Sequence, residues 1–206
     1  RKKKEKAILF GNQKDISSTF KLVDILKTHN IKIHNLKKDI KINGKKFAIE
    51  NSFVVPLNQE KFKVIQAIFD KQKKFTDSTF YDVSTWTVPL AFDVNFEKIS
   101  DTNLIGKVMG NDRKIIIKNL KKSDYAYLFE THGYYYPKAL YKLLDYGLRA
   151  KVSMKKFKIN NKSFDYGTIM IPTQNQNLNP NEIHKILSEV SVTSELNIYG
   201  TNTGAS

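Results

Sequence analysis

Residues 7–10 read Ala-Ile-Leu-Phe, and a close variant, Ala-Tyr-Leu-Phe, returns at residues 126–129. Four consecutive apolar residues indicate a short strand in each place. The following residues also return, with Lys21-Leu22-Val23 matching Lys138-Ala139-Leu140 and Val55-Pro56 matching Ile171-Pro172. The offset between the matches is 119 residues at the strand, 117 at the lysine and 116 at the proline. A spacing held over this length predicts a duplicated unit.

Each copy has the same predicted order of elements: strand, helix, strand, hairpin, strand and helix. Asn43-Gly44 is a signal for a two-residue hairpin turn with positive φ, and the second hairpin is expected around Asn160-Asn161. Asn179-Pro180-Asn181-Glu182 has the cap, proline and acid of a helix start. The alternation predicts an α/β fold of two similar β-α-β-hairpin-β-α lobes, with mixed rather than purely parallel strand pairing.

Other local signals place helix ends. Ser17 or Ser18 is expected to cap the first helix and Asn58 the second. In the second copy, Pro137 suits the first turn of a helix that ends at Gly147. Between the copies, residues 114–117 (Lys-Ile-Ile-Ile) predict an extra strand.

The stretch from Phe75 to Phe92 (FTDSTFYDVSTWTVPLAF) contains the only tryptophan, Trp86, and only two charges. Each large ring contributes about 1.5 to 3 kcal/mol when buried. Its spacing fits neither a strand nor a long helix, which indicates an irregular or short helical segment. We expect it to connect the two copies and to bury its rings against both.

These signals give a division of the chain into four parts. Residues 1–74 are the first repeat, 75–122 the aromatic-rich connector and extra strand, 123–199 the second repeat, and 200–206 a linker towards a further domain.

Composition narrows the class of protein. With 206 residues the chain can bury roughly 70% of its unfolded surface, and it has no cysteine. The formal charge of +15 comes from scattered lysines, whereas only three of the 35 basic residues are arginine. Because nucleic-acid recognition favours the forked guanidinium, we expect no nucleic-acid partner. The sequence contains no run of 18 apolar residues, so we expect no membrane span.

Three segments together resemble one family, the large bacterial zinc carboxypeptidase-like proteins of the carboxypeptidase A type. They are residues 53–59 (FVVPLNQ), 76–92 and 134–140 (YYYPKAL). The matching part of those proteins is similar to an accessory region between the metallopeptidase domain and a glutamine-amidotransferase-like domain. The resemblance covers the chain from about Ala7 to Tyr199.

For the parent protein, the resemblance implies peptide hydrolysis at a zinc ion, outside the cytoplasm. That chemistry needs a His-x-x-Glu pair, a second histidine and a glutamate that activates water. None of the four histidines here, His29, His34, His132 and His184, is followed by glutamate three positions later. We therefore expect no catalytic residue, no metal ligand and no cofactor in this chain, with zinc in the parent's peptidase domain and neighbouring domains as partners.

The loops after the first strand of each copy are the candidate sites, because α/β sheets tend to bind ligands there. They are Gly11–Ser18 and Glu130–Tyr136. Tyr134, Tyr135 and Tyr136 cannot all face a core, so at least one should be exposed and able to stack on a sugar or a peptide side chain. The alternative is that the three rings pack against the other copy or a further domain.

Glu130 and His132 are alternate residues of an extended segment and should point the same way. They could form an acid/base pair or part of a metal site, or simply a surface ion pair.

Three functions follow. The first is a noncatalytic accessory domain that scaffolds the peptidase or positions its substrate. The second is a binding module for a cell-wall peptide or glycan. The third, an amidotransferase-like enzyme, lacks the cysteine nucleophile that this chemistry normally uses.

Overall fold

The structure is a computed structural model, and it describes residues 4–71, 87–110, 115, 117–159 and 161–204. The chain divides into two compact units, Arg1–Arg113 and Lys114–Ser206. Helices and strands alternate in each, which confirms the α/β class. The sequence predicted mixed rather than purely parallel pairing, and the ladders formed by the described residues are all antiparallel.

The first unit is built on a five-stranded sheet of order β6-β1-β5-β2-β7, with β3 and β4 as a separate hairpin. Its elements are β1 (Ala7–Gly11), α1 (Ile16–Thr28), β2 (His34–Leu36), β3 (Ile40–Ile42), β4 (Lys45–Phe47), β5 (Ser52–Pro56), α2 (Phe62–Phe69), α3 (Val88–Ala91), β6 (Asn95–Ile99) and β7 (Ile105–Val108). A 3-10 turn, Thr102–Leu104, leads into β7.

The second unit has a four-stranded sheet of order β13-β8-β12-β9 and the hairpin β10-β11. Its elements are β8 (Ala126–Phe129), α4 (Tyr136–Asp145), β9 (Lys151–Val152), β10 (Phe157–Ile159), β11 (Lys162–Phe164), β12 (Ile169–Pro172), α5 (Pro180–Thr193) and β13 (Tyr199–Thr201). The first four strands of each sheet correspond one to one. The two units therefore share one topology, as a duplication requires.

The first strand of each unit forms the centre of its core. Every residue of β1 is buried, because one face packs against helices and the other against the hairpin. On the helix side, the Phe10 ring lies 6.0 Å from Phe53 and 5.7 Å from Phe69. On the hairpin side, Leu9 packs in a cluster with Phe47. Burial on both faces explains the unbroken apolar sequence.

The second helical segment differs between the copies. In the second unit α5 is continuous, whereas the first unit has two pieces, α2 and α3. Both segments end alike: Asp93 and Glu195 each adopt a φ of 51°, and each following N–H bonds back to Pro89 or Ser191. The offset between copies falls from 118 at Ile65 and Ile183 to 102 at Asp93 and Glu195, so the first unit carries sixteen additional residues here.

The predicted aromatic connector coincides with this addition. Phe75–Trp86, including the tryptophan, lies outside the described residues. The described part contains the short helix α3, in agreement with the predicted short helical segment. The Thr87 hydroxyl donates to the Asp70 carbonyl oxygen at 2.6 Å, so the two ends of the addition meet within the first unit. β6 and β7 follow it and complete the first sheet, which extends that unit beyond residue 74.

Two predicted helix caps are wrong. The side chain of Asp15 caps α1 by accepting from the backbone N–H groups of Ser17 and Ser18, both at 3.1 Å. α2 begins after Lys61 rather than Asn58, because the intervening residues form turns that direct Gln59 to the main chain.

The other local signals are confirmed. Asn43 and Gly44 have positive φ in the β3-β4 turn, Pro137 lies in the first turn of α4, and Gly147 has a φ of 77° after it. The capping box of α5 is complete. The hairpin β10-β11 is present, although Asn160 is outside the described residues.

Of the extra strand predicted over residues 114–117, only residues 115 and 117 are described, and neither is in a strand. The sequence predicts a linker from residue 200 onward, but Gly200 and Thr201 belong to β13. The linker prediction is wrong for these two residues because they have no apolar pattern that would indicate a strand.

In both units a glutamine side chain forms the hydrogen bonds to the main chain that a neighbouring strand would otherwise form. The Gln59 amide donates to the carbonyl oxygens of Lys32 (2.9 Å) and Pro56 (2.8 Å), and its oxygen accepts from the Lys32 N–H at 2.7 Å. Gln176 makes the same three bonds to the equivalent residues Arg149 and Pro172. This repeated clamp fixes the segment that enters β2 or β9.

We predict that Gln59→Ala and Gln176→Ala each lower the free energy of unfolding by about 1.5 to 4.5 kcal/mol, since each removes three hydrogen bonds whose net value is about 0.5 to 1.5 kcal/mol apiece. Urea denaturation measures the change. Gln59→Glu is the matched control: it keeps the shape but loses both donors, and should be as destabilising at pH 7. Unchanged stability in both alanine variants would contradict the clamp.

The hairpin of the first unit is tied to the edge strand β6 by charge. Lys45 Nζ lies 2.6 Å from Glu97 Oε1, and the Asn43 amide donates to Glu97 Oε2 at 2.9 Å. Partial burial alone would raise the pKa of Glu97, but the hydrogen bonds from Lys45 and Asn43 and the charges of Lys45 and Lys71 outweigh it. The pKa of Glu97 therefore lies below its ordinary value.

A depressed carboxyl pKa stabilises the fold above the unfolded-state value of about 4.3, and this stabilisation is lost as the pH falls through the folded-state pKa. We expect Glu97→Gln to destabilise the protein by about 1 kcal/mol at pH 7 and to lose less stability than the parent between pH 6 and pH 3. Thermal unfolding across that range measures both effects. Glu5→Gln removes an equal charge from the exposed pair with Lys98 and should change little.

Candidate functional site

The loop Glu130–Tyr136 follows the central strand β8 of the second unit. Glu130 and His132 do lie together, with His132 Nδ1 4.0 Å from Glu130 Oε1. Lys162 Nζ approaches the other carboxylate oxygen at 3.7 Å. Within the described parts of the chain, no three side chains of the kinds that bind metals gather at one place. Glu130 is thus an acid placed between two basic groups.

Lys162 belongs to a cluster that ties the hairpin β10-β11 to the edge strand β13. Its Nζ lies 4.0 Å from the ring centroid of Tyr199 and 5.1 Å from that of Phe164. Phe164 in turn stacks on Phe157 at 5.2 Å. Lys162 occupies the position that Lys45 holds in the first unit, and Tyr199 the position of Glu97. The aromatic face and Glu130 thus take the place of the Lys45–Glu97 ion pair.

The three consecutive tyrosines have different environments. Tyr134 is 44% exposed, whereas Tyr135 and Tyr136 are partly buried. The Tyr134 and Tyr135 rings meet edge to face, with centroids 5.0 Å apart and an interplanar angle of 87°. Lys138 Nζ also lies 5.5 Å from the Tyr135 ring centroid. At least one ring was expected to be exposed, and that ring is Tyr134.

Sequence reasoning missed two further side chains, on the outward side of α4. Tyr141 is 71% exposed and Leu144 is 51% exposed. Tyr141 and Leu144 are three residues apart in α4 and lie on one side of the helix, whereas Tyr134 lies in the turn that precedes it. We call Tyr134, Tyr141 and Leu144 the tyrosine surface. Tyr146, at the end of the same helix, is also exposed.

The first unit provides an internal comparison for this surface. Both helices end with the same backbone bonds, Ile31 N–H to Leu26 and Leu148 N–H to Leu143, which aligns them residue by residue. The buried positions then agree, since Leu22 and Leu26 correspond to Ala139 and Leu143. The outward positions do not. Asp24 and Lys27 of α1 and His29 directly after it are replaced by Tyr141, Leu144 and Tyr146 in the second unit. Aligning the two copies in the sequence would have revealed this exchange.

The other candidate loop, Gly11–Ser18, is closed by its own hydrogen bonds. The Asn12 side-chain oxygen accepts from the N–H groups of Lys14 (2.8 Å) and Asp15 (3.0 Å). Its amide group donates to the Asp93 carbonyl oxygen at 2.9 Å, and Asp15 caps α1. A glycine starts this loop because a Cβ on Gly11 would lie 2.5 Å from the Asn51 carbonyl oxygen. These polar side chains hold the backbone.

Two histidines also contact structural groups. His184 Nδ1 lies 3.2 Å from the hydroxyl of the buried Tyr127, which accepts from the Ser123 N–H at 3.0 Å. Burial raises the pKa of this phenol and outweighs the opposing hydrogen bond from Ser123, so the hydroxyl stays protonated. His34 Nδ1 lies 2.9 Å from the Gly106 carbonyl oxygen.

Comparisons with other proteins add no assignment: no model of a known protein family matches this chain, and no curated protein matches it either. No helix among residues 4–71, 87–110 and 117–204 is long and apolar enough to cross a membrane.

If the tyrosine surface serves binding, its residues are not needed for folding. We expect Tyr141→Asp and Leu144→Lys, which install the residues of the first unit, to change the free energy of unfolding by less than about 0.5 kcal/mol. Chemical denaturation measures this. Leu143→Lys, one position earlier and fully buried, is the control and should prevent stable folding.

Proposed function

We propose that this chain is a noncatalytic accessory region of a zinc carboxypeptidase-like protein, which acts outside the cytoplasm and whose peptidase domain holds the zinc. In this proposal the second unit positions the substrate through the tyrosine surface. The family and the location rest on the resemblance alone. One observation carries the binding role: the outward positions of α4 bear Tyr141 and Leu144 where the duplicate helix bears Asp24 and Lys27. Large exposed apolar side chains in an otherwise lysine-rich surface are typical of binding surfaces.

The arrangement of the rings suits an extended ligand. The tyrosine surface combines one ring from the turn before α4, Tyr134, with one from within the helix, Tyr141. In an extended peptide each residue spans about 3.3 Å, so different side chains of one peptide can contact different rings. Tyrosine can stack a flat apolar face on a side chain or a sugar ring and still donate from its hydroxyl. A carboxypeptidase-like parent makes a peptide the expected ligand.

Polar side chains of the second unit are engaged in contacts within that unit, which supports a noncatalytic function. Glu130 lies close to both Lys162 and His132, and Lys138 Nζ donates to the Thr193 carbonyl oxygen at 2.7 Å. These contacts are made within the fold of the unit. Bond cleavage is therefore assigned to another domain of the parent.

The decisive experiment compares the chain with the full-length parent. Zinc content and hydrolysis of a peptide from its C-terminus are measured for both proteins, and binding of the same peptide is measured by calorimetry. We expect the chain to bind the peptide without stoichiometric zinc and without hydrolysis. Stoichiometric zinc with cleavage by the chain alone would refute the accessory role.

We further predict that the double variant Tyr134→Ser, Tyr141→Asp weakens binding at least tenfold. Each stacked ring is worth about 0.5 to 1.5 kcal/mol beyond its buried area, and 1.4 kcal/mol corresponds to a factor of ten. Ser17→Ala, Asp24→Ala at the equivalent positions of the first unit is the matched control and should leave affinity unchanged. Binding of a cell-wall glycan in place of the peptide, with the same loss in the tyrosine variant, would favour a glycan-binding module.

A further inference from the structure

Two turns of the second unit meet beside the hairpin β10-β11. One turn leads into β10, and the other follows β11. Lys156 Nζ in the first turn lies 3.2 Å from Asp165 Oδ1 in the second. The Gly167 N–H also donates to the Ser153 carbonyl oxygen at 2.7 Å. An ion pair and a backbone hydrogen bond therefore hold the two turns side by side.

Each of these turns presents one large apolar side chain to solvent. Met154 is 86% exposed and Tyr166 is 67% exposed. The pairing of Val152 with Ile169, continued by two residues, places Met154 opposite Gly167, which directly follows Tyr166 in the chain. The two exposed apolar residues thus belong to one small region of the surface.

Lysines surround these two side chains. Lys155 and Lys156 belong to the first turn, and Lys158 is exposed in the centre of β10. Lys156 Nζ lies 5.9 Å from the ring centroid of Tyr166. Asp165 is the one acid between residues 150 and 170, and it pairs with Lys156. Among the described residues, neither Lys155 nor Lys158 forms an ion pair. We call the following residues the basic tip: Met154, Lys155, Lys156, Lys158 and Tyr166.

The first unit shows that exposure is a property of these turns. Lys37 corresponds to Met154, and Ile49 corresponds to Tyr166. Both residues of the first unit are exposed. They are exposed although β7 pairs beside β2 there, and although the Lys37 N–H donates to the Leu104 carbonyl oxygen at 3.0 Å. The exposure of the tip therefore does not depend on a neighbouring strand.

The two units differ in the acids beside the exposed apolar residue. In the first unit Asp39 accepts from the Ile49 N–H at 2.9 Å, and Glu50 directly follows Ile49. Within the described residues, no lysine pairs with either acid. In the second unit Lys156 replaces Asp39, and the turn after the hairpin is one residue shorter and has no glutamate. The second unit is therefore the one suited to an anionic surface.

We propose that the basic tip binds the surface of a lipid bilayer that contains anionic lipids. The lysines approach the phosphates of the headgroups, and Met154 and Tyr166 enter the boundary between headgroups and acyl chains. Tyrosine suits this depth because its ring is apolar and its hydroxyl remains in contact with water. Stable attachment to a membrane generally takes two signals, and the tip supplies both apolar side chains and positive charge.

Other anionic partners use the tip less completely. A soluble polyanion would contact the lysines but would leave Met154 and Tyr166 in water. An acidic protein would need a hollow that matches two side chains on adjacent turns, whereas a fluid bilayer adapts to their shape. The combination of exposed apolar side chains with lysines therefore favours a lipid surface.

The test measures co-sedimentation of the full chain with lipid vesicles. One set contains phosphatidylcholine alone, and the other contains phosphatidylcholine and phosphatidylglycerol in equal amounts. We expect binding to the anionic vesicles to be at least about tenfold stronger, and to weaken as the salt concentration rises, because salt screens the attraction between lysines and headgroups.

The apolar part of the tip is tested without a change in charge. Met154→Ser, Tyr166→Ser should weaken binding to the anionic vesicles about tenfold, since both side chains then lose the gain of leaving water. Ile49→Ser at the equivalent position of the first unit is the matched control and should leave binding unchanged. Circular dichroism of each variant should match that of the parent, because the replaced side chains are exposed.

The basic part is tested by removing two charges. A lysine near an anionic surface contributes about fivefold to binding, so Lys155→Gln, Lys158→Gln should weaken it about 25-fold. Lys122→Gln, Lys185→Gln removes the same charge from exposed positions outside the tip. We expect this control to weaken binding by less than about threefold, because the effect of a charge falls off within a Debye length.

Three outcomes would overturn the proposal. The first is equal binding, or none, to neutral and anionic vesicles. The second is an equal loss in the two lysine variants, which would assign binding to the overall charge of +15. The third is full vesicle binding by Met154→Ser, Tyr166→Ser, which would leave the tip a site for soluble anions or acidic proteins.

This proposal stands apart from the proposed function, because the basic tip and the tyrosine surface share no residue. Tyr134→Ser, Tyr141→Ser should therefore leave vesicle binding intact while it weakens peptide binding. Failure of one proposal can thus be told from failure of the other.

Discussion

The burial of one strand on both faces is the constraint on which each unit depends. β1 and β8 have no polar side, so helices must cover one face and a hairpin with its flanking turns the other. The helix side of the first unit is filled by large aromatic rings such as Phe10, Phe53 and Phe69. The second unit fills the same layer with aliphatic residues such as Leu143 and Leu187 around Tyr127 and Phe129. A layered arrangement can thus survive large changes in side-chain composition as long as the central strand stays covered.

Covering a strand on both faces leaves main-chain groups at its margins that must be paired. The duplicated glutamines meet this need where the chain enters β2 and β9, and Asn12 and Asp15 meet it where the chain leaves β1. These are polar residues in loops that would be read from sequence as ligand-binding groups. Their hydrogen bonds to the main chain show that these polar side chains stabilise the ends of the strands. What distinguishes the second unit is that the exposed rings of Tyr141 and Tyr146 stand where the first unit has Asp24 and His29.

Much of the fold could be predicted from the sequence because its signals are local. The apolar strand at residues 7–10, the Asn43-Gly44 turn and the capping box at Asn179 each depend on neighbouring residues alone, and all three form as predicted. β6, β7 and β13 were missed, since these strands are short, alternate weakly and form by pairing with distant residues. The cap of α1 was misplaced because Ser17, Ser18 and Asp15 are all good cap residues, and only the backbone geometry selects the aspartate.

The candidate site was predictable only in part. Tyr134 was expected to be exposed because three adjacent rings cannot share one interior, and it is. Tyr141 escaped notice because a tyrosine near leucines in a helix looks like a core residue until the helix is aligned with its duplicate. The resemblance to zinc carboxypeptidase-like proteins is carried by segments that include the aromatic stretch, and neither copy of the fold tests it. The family assignment therefore stays a proposal.

The meeting of Thr87 with Asp70 has a consequence for how this architecture changes over evolutionary time. A helix that is whole in one copy is interrupted in the other, yet the chain leaves and re-enters at neighbouring points, and the helix resumes with the same terminal geometry. At such a junction the chain can change in length without a change in the strands and helices around it. The break between α2 and α3 is thus a point at which the two copies can differ in length by sixteen residues while the rest of the unit keeps its topology.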